Sequence, residues 1–418
     1  MDRRQLLALT GALGVGAVLP GCAPSASGPR SVGAWTQLAD AVVPAPVEDA
    51  APLASPLAAF ASDLTLRLAS TTRNLVWSPW SVAMVLAMVR DGAAGETASE
   101  ITKVLRADVD FDARLADGWR RMAHAPGEPL HAGNAVWAQA GENWKQPFLD
   151  RLTALSASLK LWDFGADPAG AVKAVNSWIA DHTVGKITDL LKTDDVDDGT
   201  RMILVNAVHF KAAWKDGLTE AGTQPFASPK GARTVPSLHS TIPFPGTRGT
   251  GFVRAALPCA ADPGLIDGFE LVVVLPDDPA VNPASLPLEA FVGGSGSAAL
   301  VTLTMPAWKL SHQVKLNEIL KAAGMPLAFD PRRADFTGMT TDEALYLAFV
   351  AHQAVIEVNA KGIEATAATV GGMHAMSGIV AEPITLTLDR PFAYALVHTP
   401  TSTPLFMGVV ADPTQASA

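Results

Sequence analysis

From Gly362 to Gly378 the chain reads "GIEATAATVGGMHAMSG". Just before it, "AVIEVN" at Ala354 to Asn359 alternates apolar and polar residues and predicts a strand. The run itself holds small residues, Thr, Gly and two Met, and offers little to a core. "EATAAT" has fair helical propensity, so an Ala-rich helix or a linker is the bland reading. Gly362 in front and Gly371-Gly372 behind weaken a helix.

Working outward, the chain has 418 residues, of which 49% are hydrophobic and 17% charged, enough for one large domain or two ordinary ones with a sizeable core. Its 34 Gly and 31 Pro are scattered without period, which argues against a collagen-like or wholly disordered chain. A formal charge of -10 and the lack of a long basic run argue against nucleic-acid binding.

The N-terminus reads as a targeting segment. "MDRRQ" is basic, "LLALTGALGVGAVL" is apolar and too short for a confident membrane span, and "LPGC" follows. Leu19-Pro20-Gly21-Cys22 resembles a bacterial lipobox, in which the Cys becomes lipidated, and Arg3-Arg4 loosely resembles a twin-arginine signal. Residues 1–22 are therefore expected to be an export signal. This places the protein outside the cell or in its envelope, held to a membrane surface by lipid on Cys22. Residues 23–52, rich in Ala, Pro and Ser, read as a flexible linker. The folded domain is expected over residues 53–414. Only Cys259 remains besides Cys22, so no disulfide framework is expected.

Leu57, Phe60, Leu64 and Leu68 recur at helical spacing, and "SVAMVLAMVRDG" is an apolar helix ending near Gly92. Thr97-Ala98-Ser99-Glu100 predicts a capping box that opens the next helix. Val172, Val175 and Ile179 share one helical face, with Gly185 as the stop. Strand signals follow: "MILVNAVHF", "FELVVVLP", "ALVTLTM", "AVIEVN", "ITLTL", "FAYALV" and "LFMGVV". "GGSGSA" near Ser295 reads as a loop. Helices early and strands late predict an α+β fold.

The nine His show no metal-ligand spacing, and Gly293-Gly294-Ser295-Gly296-Ser297 lacks the last Gly of a nucleophile elbow. No phosphate-binding or dinucleotide glycine pattern occurs. The residues give no ground for a metal, a cofactor or an enzyme.

Seven separated motifs resemble, in order, those of the serpin family. They are "NLVWSPWSVAMVLAMVRDGAAGETASEI", "VNSWIADHTVGKITDLL", "LVNAVHFKAAW", "LVVVLP", "ADFTGM", "HQAVIEVNAKGIEATAAT" and "DRPFAYALVHTPTSTPLFMGVVADP". They span about residues 53–414. The resemblance implies an α+β domain of three β-sheets and about nine helices with an exposed reactive loop. It implies a monomeric inhibitor of serine proteases, and in some members of cysteine proteases. The protease cuts the loop and is acylated by it. The cut loop then enters the main sheet as a new strand.

That implication gives the opening segment two homes, in solvent and within a sheet. As a strand it puts Ile363, Ala365, Ala367, Thr369 and Gly371 on one face, and Glu364, Thr366, Ala368 and Val370 on the other. The resemblance assigns Gly362 to Thr369 as the hinge, and Ser78, Ser81, Asn206 and His352 as a polar cluster that gates the sheet. It places Trp214 where the loop first enters. The family interval from Gly362 sets the scissile bond at Met376-Ser377, with Met373, Ala375 and Val380 as rivals. A Met there suits elastase-, chymotrypsin- or subtilisin-like proteases. Three departures from the family pattern stand out: Ala360 stands where inhibitory members carry Glu, Ile363 replaces a smaller Thr or Ser, and the loop after Ser377 is a few residues longer. A non-inhibitory binding or structural role is the alternative.

Overall fold

The computed structural model describes residues 30–32, 35–39, 54–123, 130–155, 157–215, 217–260, 268–292, 297–342, 344–348, 350–363 and 382–415. Among these are seven α-helices: α1 (Ala54–Leu68), α2 (Pro79–Gly92), α3 (Gly95–Leu105), α4 (Phe111–Ala123), α5 (Gln146–Ala154), α6 (Pro168–His182) and α7 (Asn317–Ala323). The strands in chain order begin with β1 (Arg30–Val32), β2 (Trp35–Ala39), β3 (Leu75–Trp77), β4 (Leu130–Gln139) and β5 (Ser158–Trp162). They continue with β6 (Met202–Phe210), β7 (Ala212–Trp214), β8 (Leu218–Ser228), β9 (Gly231–Ser240), β10 (Phe244–Gly249), β11 (Phe252–Ala260) and β12 (Phe269–Pro276). The last are β13 (Ser297–Pro306), β14 (Trp308–Lys315), β15 (Ala351–Asn359), β16 (Gly362–Ile363), β17 (Glu382–Thr387), β18 (Phe392–His398) and β19 (Thr403–Val410). The architecture is α+β, as expected from the order of helix and strand signals.

The ladders fall into three sets. One runs β1-β2-β5-β4-β6. A second runs β14-β15-β16-β7 and joins the third, built on β8 to β13, β17 to β19 and β3, through β11. Strands β6 and β15 lie side by side, yet no hydrogen-bonded ladder joins them among the described residues. Within the stretch expected to be a linker, β1 and β2 form a hairpin, and β2 pairs antiparallel with β5. Part of that stretch is therefore strand, because the outer side of β5 offers unpaired backbone groups.

α2 is buried on nearly every side, as its all-round apolar sequence requires. Pro79 suits its first turn, where an N–H would find no helical partner. The strands β4 and β6 are buried on both faces. Val136, Ala138 and Leu204 join the main core, while Ala135, Trp137, Ile203 and Val205 join Val172, Val175 and Ile179 of α6 in a second core. Buried Lys160 on β5 lies 5.8 Å from the Trp137 ring and 6.0 Å from the Trp178 ring, and so helps to fasten α6 across these strands.

The expected capping box does not form. α3 begins three residues earlier, at Gly95, whose φ of +53° suits glycine, and its N-cap Ala94 has no side-chain cap. Thr97 instead accepts from the Asp335 N–H at 3.0 Å, and Glu100 accepts from the Leu327 N–H at 2.9 Å. Both side chains hold distant loops, a use that local spacing does not reveal.

Candidate functional site

The site is where chain leaves β15 and turns back. Ala360 and Lys361 form a two-residue turn, and Gly362-Ile363 returns as β16. Asn359 Oδ1 accepts from the Lys361 N–H at 2.8 Å and fixes the turn. Gly362 adopts φ +148°, a conformation that L side chains rarely take. β16 pairs antiparallel with β15 on one side and with β7 on the other. It is a two-residue wedge between the strands flanking the unladdered seam.

Ile363 lies opposite Val358 and Ala212 and is 1% exposed. Its burial, about 1.5–3 kcal/mol for such a side chain, is thus already realised with the rest of the loop outside the described residues. Trp214 closes this end of the seam. Its indole N–H donates to the Asn359 carbonyl at 2.8 Å, and its Cα stands opposite buried Cys259 on β11. Nothing in local sequence signals Asn359 as the partner of Trp214.

Lower in the seam, the polar residues meet at the start of α2. Ser78 is the N-cap of this helix, and its hydroxyl accepts from the Ser81 N–H at 3.2 Å while donating to the Leu405 carbonyl at 2.5 Å. The Ser78 N–H donates to His352 Nε2 at 3.0 Å. His352 is buried on β15, so the ring is neutral with its proton on Nδ1. Burial, and then the charge of His312, hold its pKa down to about 3. One network therefore ties β15, α2 and β19. Asn206 stands on β6, opposite Asn134 of β4. Its side chain lies outside the described residues, as do Cys22, the hinge positions Glu364, Ala365, Thr366, Ala367, Ala368 and Thr369, and the scissile pair Met376-Ser377.

Sequence spacing did not reveal a second clamp beside this network. Asn74 is buried, donates to the Asp412 and Gln415 carbonyls, both at 2.8 Å, and accepts from the Ala411 and Asp412 N–H groups. It thereby binds the C-terminal segment to the strand that leads into α2. Among the described residues no group of three or more His, Cys, Asp or Glu is placed to hold a metal ion.

A family model described as Serpin (serine protease inhibitor) matches residues 55–413. An uncharacterized serpin-like protein of Thermococcus kodakarensis is 30% identical over 379 residues, covering 87% of this chain and 86% of that protein. Leukocyte elastase inhibitor A of Mus musculus is 31% identical over 372 residues, covering 84% of this chain and 96% of that protein. Among solved structures, the thermophilic serpin tengpin in its native state superposes with a TM-score of 0.76 at 24% identity, over 90% of this chain and 99% of that one. With a wedge of returning chain between β15 and β7, a buried Ser–His network below it and a match over nearly the whole folded part, the chain belongs to the serpin family of serine protease inhibitors.

Proposed function

We propose that this serpin is a suicide-substrate inhibitor of serine proteases with elastase-, chymotrypsin- or subtilisin-like specificity. It is cut at Met376-Ser377 and traps the acyl-enzyme by drawing the cut loop into its main sheet. The observation that carries this is the position of β16. It already runs antiparallel to both β15 and β7, at the mouth of a seam between β15 and β6 that has no ladder among the described residues.

Lengthening β16 keeps the register it already has, while β15 and β6, which lie side by side, part by about 4.8 Å to admit it. Carried on one residue at a time, the register sets Ala365 opposite Ile356, Ala367 opposite Ala354, and Thr369 opposite both His352 and Asn206. His352, Ala354, Ile356 and Val358 are the buried positions of β15, so the small-residue face of the loop meets the core face of the sheet. A dozen newly paired residues at about 0.5–1.5 kcal/mol each supply on the order of 10 kcal/mol for distorting a bound protease.

Residues 1–22 complete the proposal as an export signal, with Cys22 lipidated and the inhibitor tethered at a membrane surface as a monomer. Intact-mass measurement of the exported protein reads the lipid directly.

The test is incubation with elastase and with subtilisin, followed by denaturing electrophoresis. A covalent adduct, together with a higher melting point of the nicked protein, is the expected outcome. Clean cleavage with no adduct and no thermal gain overturns it. The non-inhibitory alternative, which draws on Ala360 and on the bulk of Ile363, would then hold.

A further inference from the structure

α2 starts at the polar network beneath β15 and ends where three helices meet. Arg90 and Asp91 lie in its last turn, Asp112 in the first turn of α4 and Arg151 in the last turn of α5. The Arg90 guanidinium is ion-paired with Asp112, approaches Asp91 at 3.8 Å and lies 5.9 Å from the Phe111 ring. Arg151 donates to the Asp91 carbonyl at 2.6 Å. Two carboxyl groups thus share the Arg90 guanidinium, with the Arg151 guanidinium at the Asp91 backbone.

Asp112 Oδ1 is buried and receives no hydrogen bond from an N–H or O–H among the described residues. The carboxyl of Asp91 lies within hydrogen-bonding reach of Asp112, and it becomes a donor only when it holds a proton. Burial first, and then the charge of Asp112, raise the Asp91 pKa to about 6 against the opposing pull of Arg90 and Arg151.

We propose that Asp91 and Asp112 form a proton-operated latch between α2 and α4. One proton bridging the two carboxyl groups closes it, and loss of that proton loosens it. With the proton in place, Asp112 gains a donor and the repulsion between the two carboxylates is relieved. Arg90, Arg151 and Asp112 are the charged groups acting on Asp91 at this junction. α4 precedes β4 and α5 precedes β5, and both strands belong to the ladder of β6. The latch therefore stiffens the helices behind the sheet in mildly acid surroundings. Since the folded pKa is raised above 3.8, its contribution is complete below that value and is lost as pH rises through about 6.

Asp91→Asn keeps an N–H donor toward Asp112 at every pH. The full chain and this variant are unfolded in urea from about pH 8 to about pH 5. His352 and His398, both held low chiefly by burial, act in the opposite sense, so the readout is the difference between variant and parent, in which they cancel. The parent is expected to gain about tenfold in its folding equilibrium relative to the variant over that interval. A difference that does not change with pH overturns the latch. Should the variant not fold, carbon-detected NMR of the parent decides. An Asp91 carboxyl midpoint near 6 supports the latch, and one near 3.8 overturns it.

Discussion

The Ser78 N–H and His352 Nε2 are 3.0 Å apart although 274 positions separate them in the chain. This bond joins the start of the central helix to the strand at which the sheet would open. It also requires a neutral ring, because a protonated Nε2 has no lone pair to offer.

His352→Ala is therefore expected to leave a buried N–H without acceptor and to cost about 1–3 kcal/mol of native-state stability. A urea unfolding series on the uncut protein measures it. The acid dependence has a definite sign. The folded pKa of about 3 lies below the ordinary 6.5, so the unfolded chain binds the proton first. Stability is complete above about pH 6.5 and is lost as pH falls toward 3. The variant should lose part of this slope, and an unchanged slope would show that His352 is not its source.

Ile363→Arg sets a long cation at a position that is 1% exposed between β15 and β7. Burying an unpaired charge costs several kcal/mol, and each 1.4 kcal/mol is about tenfold in an equilibrium. The yield of covalent protease adduct should fall by at least about tenfold while cleavage of the loop continues. Densitometry of adduct against cleaved inhibitor reads the ratio, and a parental ratio would remove Ile363 from the mechanism.

Val184 lies just past α6 at φ +52°, is 62% exposed and is followed by Gly185 at φ +71°. A β-branched side chain in the left-handed region is strained by about 1–2 kcal/mol, and its exposure means that little packing is lost on replacement. Val184→Asn should stabilise the native protein by about 1 kcal/mol, seen as a higher urea midpoint with an unchanged slope. A lower midpoint would mean that the valine makes contacts which outweigh its strain.

Seven of the strands, β6, β12, β13, β15, β17, β18 and β19, were legible in the sequence. "MILVNAVHF" and "FELVVVLP" correspond to β6 and β12 from end to end, because a β-branched run bounded by turn residues leaves the backbone few other uses. Val172, Val175 and Ile179 are buried on one face of α6 for an equally local reason. Thr97 and Glu100 misled for the opposite reason. Their spacing fits a cap, but the backbone groups that they satisfy, on Asp335 and Leu327, lie more than two hundred residues away. The Asp91–Asp112 junction was invisible too, since it depends on how the ends of α2, α4 and α5 converge.

Alternation and β-branched runs by themselves determined seven of the strands, and alternation sorted the residues after Asn359 into two faces. These are properties of neighbours in the chain, carried by periods of 2 and 3.6 residues. Only the tertiary structure decided that Ile363 already lies between β15 and β7, that Trp214 holds the Asn359 carbonyl, and that His352 accepts from Ser78. Those pairings arise when distant segments share one core, and their energies depend on burial that no local window contains.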